Sequence, residues 1–158
     1  MATIKLTQDF KEFLQLLNSE KIEYLLIGGY AVAMHGYVRP TKDMDIWVST
    51  HPANIDRLIH ALVKFGVPAD KVKKEWFAGP QTVFRMGFPP NRLEILTAIS
   101  GVDFAECYRH RLTLEIDGVS VSVIGYDDLK QNKTASTRLS DRADVERLEK
   151  ARLRDKRS

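Results

Sequence analysis

The sequence predicts a single α/β (α+β) domain: a mixed β-sheet flanked by helices. Three observations carry this expectation. The hydrophobic period alternates between about 3.6 and 2 residues, giving the order helix, strand, helix, strand, helix, then several strands and two closing helices. LTLEIDGVSVSVI is a hairpin pattern around Asp117-Gly118. At 158 residues the chain can bury one sizeable core and is too short for two ordinary domains.

Phe10, Phe13, Leu14, Leu16 and Leu17 recur at helical spacing after Thr7 and Asp9, either of which can cap, so residues 8–19 are expected to be helical. Ile22–Ile27 is a short apolar run stopped by Gly28-Gly29, a buried strand entering a tight turn. Residues 30–36 are helix-forming and close on Gly36. In DMDIWVS the alternation puts Met44, Ile46 and Val48 on one face of a strand and Asp43, Asp45 and Trp47 on the other. HPANIDRLIHALVKFG reads as a helix between Pro52 and Gly66, with Ile55, Leu58, Ile59, Leu62 and Val63 turned to the core. QTVFRMGF and RLEILTA are expected strands around Pro89-Pro90-Asn91, and the last helices are expected at residues 127–137 and 142 to about 154. Tyr126–Leu129 reads as a helix start with Asp127 or Asp128 capping, and His35 as a helix-end residue. Trp76, Phe77, Phe84, Phe88 and Phe104 read as core material, and Trp47 as an aromatic that closes the core at the rim or stacks on a base.

The composition, 44 % hydrophobic and 28 % charged, is that of a globular protein, without an apolar run of the roughly 18 residues that would span a bilayer. The first residues interleave acids and amides with leucines and do not read as a signal peptide, so no membrane association and a cytoplasmic location are expected. Cys107, the single cysteine, is expected as a packed thiol. The +3 net charge is concentrated in KARLRDKRS, where Lys150, Arg152, Arg154, Lys156 and Arg157 face only Asp155. The expected organisation is a domain at 1–149 and a basic tail at 150–158, the tail being a helix end, a solvated terminus, or an arm for RNA or an acidic partner.

The densest chemistry lies in GGYAVAMHGYVRPTKDMDIW. Asp43 and Asp45, two apart on a strand, leave the same face about 6.5 Å apart at the backbone. Carboxylates so placed repel unless a cation lies between them. Oxygen ligands suit magnesium, and a pair of such ions activates a hydroxyl and steadies a phosphoryl leaving group. Glu94 in RLEIL alternates with Leu93 and Ile95 and is the best candidate for a third carboxylate from a neighbouring strand. Gly28 and Gly29, between strand and helix, offer bare N–H groups to a nucleotide's phosphates, and Arg39 and Thr41 offer a guanidinium and a hydroxyl to the same group.

The glycine pair, thirteen intervening residues that include RPT, and then DMD on an apolar strand resemble the nucleotidyltransferase superfamily that includes DNA polymerase beta. The likeness is greatest to its small bacterial MNT-type and AbiEii-like branches, several of which are toxins of toxin-antitoxin pairs. YDDLKQNKTASTRLSDRADVERL is similar to that branch's Leu-x-x-x-Lys, Arg and Asp-x-x-Asp segment, here Leu129, Lys133, Arg138, Asp141 and Asp144. Two positions depart from the common pattern: Tyr30 follows the glycines where a small residue is usual, and Glu94 stands where Asp is commoner.

The resemblance implies transfer of a nucleoside monophosphate from an NTP such as ATP to an acceptor hydroxyl, with release of pyrophosphate. Asp43, Asp45 and Glu94 would be catalytic and would hold two Mg2+ (or Mn2+) ions. Gly28, Gly29, Arg39, Thr41, Lys133 and Arg138 would bind nucleotide, although Arg138 and Asp141 equally suit a structural ion pair joining the last helices. The acceptor, RNA such as a tRNA 3′ end or a protein hydroxyl, is expected at an open cleft, a homodimer neighbour or the basic tail, since no acceptor-holding domain fits in this length. The alternative is a catalytically idle nucleotide-binding or antitoxin-like module that acts through a partner.

Overall fold

The computed structural model describes residues 4–157. Helix α1 (Gln8–Ser19) is capped by Thr7, whose hydroxyl accepts the Phe10 amide, while Asp9 sits in the first turn. It buries Phe10, Phe13, Leu14 and Leu17, the stripe expected from their spacing. Strand β1 (Tyr24–Ile27) is buried at all four positions. It is shorter than the apolar run, because Lys21 turns the chain with positive φ and Ile22 packs under the end of α1.

Helix α2 (Gly28–Met34) starts on the glycine pair itself, two residues before the expected start, and His35 is its C-cap. Strand β2 (Asp43–Val48) follows, then α3 (Pro52–Phe65), capped by His51 and ended by Gly66 at φ +121°. Asn54 is buried in α3 and bonds both the Glu23 amide and the Glu23 and Ser49 carbonyls, pinning the helix to the ends of β1 and β2. Val63, expected in the core, is exposed; Ala61 is buried instead.

Two 3-10 turns (Ala69–Lys71 and Lys74–Phe77) lead to β3 (Val83–Met86) and β4 (Arg92–Leu96), then α4 (Phe104–Arg109), β5 (Leu112–Ile116) and β6 (Val119–Val123). Asp117 and Gly118 both take positive φ, as an Asp-Gly hairpin turn requires. Helix α4 was not anticipated. Helices α5 (Tyr126–Ala135) and α6 (Leu139–Arg157) close the chain. Neither Asp127 nor Asp128 caps α5: Gly125 is its N-cap, and both acids lie in the first turn, where they suit the helix dipole. The basic residues expected as a tail continue α6 as far as Arg157, with Arg152 stacked 4.1 Å over the Tyr126 ring; Ser158 lies outside the described residues.

The six strands form one mixed sheet in the order β3-β4-β2-β1-β6-β5. The pairs β2–β4 and β1–β6 are parallel, and β1–β2, β3–β4 and β5–β6 are antiparallel. Helices α1, α2 and α3 pack through Phe10 against Tyr30 and Phe13 against Phe65. On β2, Met44, Ile46 and Val48 are fully buried on one face, and Trp47 on the other closes the core edge-on to Phe104, 5.1 Å between ring centres. Phe77 is buried, but Phe88 (86 % exposed) and Trp76 (44 %) are not core residues, contrary to expectation. Phe88 sits in the turn between β3 and β4, outside both strands. No helix among the described residues is long and apolar enough to cross a membrane.

Candidate active site

Register brings the expected carboxylates together. In β2 and β4, Asp45 is the partner of Glu94 and Asp43 that of Arg92, so three acids and one arginine occupy two alternate rungs on one face of the sheet, with Met44 and Leu93 between them on the other face. On the far side of β4, Arg85 of β3 stands opposite Glu94. Asp43 and Asp45 open β2, next to the strand-to-helix junction at Gly28.

The outer carboxylates are held by guanidinium groups. Arg92 donates from Nε to Asp43 Oδ1 (2.9 Å) and from Nη2 to Asp43 Oδ2 (2.8 Å), a two-pronged bond, and its Nε is 3.5 Å from Glu94 Oε1. Glu94 Oε1 also accepts from Arg85 Nε at 3.1 Å. Asp45 receives no such bond, and its Oδ1 is buried without a hydrogen-bond partner. Burial, then repulsion from Glu94 and Asp43 and a side-chain bond with Glu94, pushes the Asp45 carboxyl up to about 7 against the pull of Lys133.

The glycine pair lies against these residues. A Cβ at Gly28, which has φ +68°, would run into the Asp45 carboxylate, and one at Gly29 would stand 2.8 Å from Thr41 Cγ2 and 3.6 Å from Arg39 Nη2. The missing side chains therefore let α2 close down over Asp45 and over the Arg39–Thr41 turn, where the Thr41 hydroxyl donates to the Arg39 carbonyl (3.1 Å). Arg39 Nη2 donates to Asp144 Oδ2 at 3.1 Å, while its Nε is buried without a partner.

Asp144, 1 % exposed, accepts from Arg39 and is ion-paired with Lys133 Nζ (3.3 Å); Lys133 donates to Asp141 Oδ1 at 2.9 Å. Lys133 thus joins α5 to α6 and is near enough to act on Asp45. Arg138 is not gathered in. Its side chain is 80 % exposed, and its closest acid is Asp141 Oδ2, 4.0 Å away in the same stretch of chain. The link between the last two helices is made by Lys133, and by Lys130 to Glu149 at 3.0 Å, rather than by Arg138.

Arg92 and Arg85 were not picked out from the sequence. The signal for Arg92 was its place two residues before Glu94, which puts both on one strand face; for Arg85 it was the β3–β4 register alone. Among the described residues, no group of three or more His, Cys, Asp or Glu side chains is gathered as a set of metal ligands. A cavity of about 720 Å³, lined by Ile4, Met34, Tyr37, Val38, Asp117 and Arg154, contains none of the three carboxylates.

Comparisons with known proteins bear on the family and the fold. A family model described as a nucleotidyltransferase of unknown function (DUF6036) matches residues 4–152. No curated protein matches the chain. Among solved structures, the fold is similar to that of an antigenic nucleotidyltransferase-like protein from Paracoccidioides brasiliensis: TM-score 0.50, 20 % identity, covering 90 % of this chain and 77 % of that one.

Proposed function

The chain belongs to this family of nucleotidyltransferases of unknown function, and on that premise we propose that it moves a nucleoside monophosphate from an NTP, ATP among the candidates, to an acceptor hydroxyl and releases pyrophosphate. The observation that carries this reading is the register that sets Asp43, Asp45 and Glu94 on paired strands, with Asp45 directly against Gly28.

The donor set suits a hard divalent cation such as Mg2+ or Mn2+. It is all carboxylate oxygen, and it includes the Oδ1 of the buried Asp45, which has no hydrogen-bond partner. Asp43, Asp45 and Glu94 would hold one or two such ions, which supply charge for the triphosphate and acidify the acceptor hydroxyl. The remaining steps belong to the chain. Gly28 and Gly29 open α2 against Asp45 and Thr41, and their backbone N–H groups would meet the phosphates there. Arg39, with one unpaired N–H, and Thr41 line the same approach. Lys133 sets the field around Asp45. Catalysis would come mainly from holding acceptor and α-phosphate in line and from neutralising developing charge.

The motif of Leu129, Lys133 and the Asp141 and Asp144 pair favours the small MNT-type and AbiEii-like branch, with RNA or a protein hydroxyl as acceptor. The test is transfer of label from each of the four NTPs, labelled at the α-phosphate, into macromolecules of a cell extract with Mg2+, with Asp43→Asn as control. Label with the wild type alone, absent when the γ-phosphate carries it, supports nucleotidyl transfer. A second reading is favoured by the guanidinium hold on Asp43 and Glu94: an idle nucleotide-binding module that acts through an antitoxin-like partner. It requires NTP binding without label transfer.

A further inference from the structure

We propose that Arg92 is the resident counter-cation of the carboxylate centre, and that a divalent cation reaches Asp43 only by displacing its guanidinium. The inference rests on the metal-binding reading of the site given above.

Three features support it. Both Asp43 oxygens are engaged by Arg92, at 2.9 and 2.8 Å, and the same guanidinium reaches Glu94 Oε1 at 3.5 Å, so it bridges two of the three acids. A guanidinium stays charged at every working pH, so it cannot be removed from Asp43 by deprotonation and must move away. Carboxylates have lone pairs to spare, but a divalent ion drawn onto Asp43 would face a full positive charge within a few ångströms.

Arg92 also has somewhere to go. It opens β4 beside the β3–β4 turn, and its side chain is one-third exposed (34 %), whereas Lys133, the other cation acting on Asp45, is 9 % exposed and tied to two aspartates. Once released, its planar fork is suited to a phosphate that arrives with the metal. Arg85 would keep hold of Glu94, so the centre need not be stripped of all its positive charge.

The experiment is a calorimetric Mn2+ titration, without nucleotide, of wild type, Arg92→Gln and Arg92→Lys, with Asp43→Asn as control. Arg92→Gln is expected to bind Mn2+ about fivefold more tightly or better, since one repelled charge is gone, with Arg92→Lys close to wild type. Equal or weaker binding by Arg92→Gln, with Mn2+ still bound by the wild type, overturns the competition and leaves the metal site standing. If no variant binds Mn2+ at millimolar concentrations, both the competition and the metal reading fall. Should Arg92→Gln not fold, a Mg2+ titration of the wild type followed by the NMR signal of the Arg92 Nε–H decides: a shift supports displacement, and an unmoved signal overturns it.

Discussion

Gly28 and Asp45 are in contact across the junction of β1, α2 and β2, with no space between them for a methyl group. The close spacing of bare backbone and dense negative charge in the sequence follows from this packing: the glycine lets the helix start directly over the carboxylate. Gly28→Ala is therefore expected to be destabilising for two reasons, about 1 kcal/mol for a Cβ at positive φ and more for the collision. In an Asp45→Ala background the offending oxygens are gone and only the Asp45 Cβ, 3.1 Å away, remains. Urea unfolding of the two single variants and the double variant should show a coupling of at least about 1 kcal/mol. Additive losses would mean that backbone conformation alone demands the glycine.

Asp45 should make the metal-free protein pH-sensitive. Its carboxyl is raised from the ordinary 3.8 to about 7, so between these values the folded state holds a proton that the unfolded chain has lost. The contribution of this group to stability is thus greatest at low pH, falls as pH rises from about 4 to about 7, and is constant above that. At about 1.4 kcal/mol per pH unit the loss is of the order of a few kcal/mol. With a chelator present, the wild type should lose more stability between pH 5 and pH 8 than Asp45→Asn, and the variant should be the more stable at pH 8. Mg2+ should raise the wild-type melting temperature at pH 8 and leave that of Asp45→Asn unchanged. Equal slopes for the two proteins would show that Asp45 ionises in the ordinary range.

What could be read from the sequence depended on whether the signal was local. Asp117-Gly118 and the alternation in DMDIWV depend on a few neighbouring residues, and the hairpin and β2 are found where they were expected. The start of α2 was misplaced because glycine is a poor helix former, and its reason for being there, the Asp45 carboxylate, is a tertiary contact. Helix α4 was missed although DFAE carries a start signal, with Asp103 Oδ2 accepting the Glu106 amide at 3.2 Å. Glu94 could be chosen by period, and Arg92 shares its face by the same period, but the pairing of Arg92 with Asp43 and of Arg85 with Glu94 becomes visible only once strand order and register are known.

Aromatic identity does not reveal burial, and two phenylalanines make this measurable. Phe77 is 1 % exposed and Phe88 86 % exposed. Phe77→Ala is expected to cost about 3 to 5 kcal/mol, since it empties a packed site. Phe88→Ala should stay within about 0.5 kcal/mol of the wild type. Thermal or urea denaturation of the two variants side by side is enough. A large loss at Phe88 would place that residue in an interface with another molecule or copy.

Asp144 and Arg138 belong to the same sequence motif but hold opposite positions in the structure. Asp144 is buried, accepts from Arg39 and pairs with Lys133, so Asp144→Ala leaves Arg39 without its carboxylate and Lys133 with Asp141 alone; breaking a buried ion pair typically costs about 3 to 5 kcal/mol, and the one-third exposure of Arg39 puts the expected loss at or below the lower end. Arg138 reaches Asp141 only at 4.0 Å from an exposed side chain, and exposed pairs contribute about 0 to 1 kcal/mol, so Arg138→Ala should scarcely change stability. The same pair of variants separates structure from nucleotide binding. If Arg138 serves the triphosphate, Arg138→Ala will weaken NTP binding with the melting temperature unchanged. Unchanged binding would leave Arg138 as a solvated helix-end residue and the triphosphate to other cations, Lys133 and Arg39 among them.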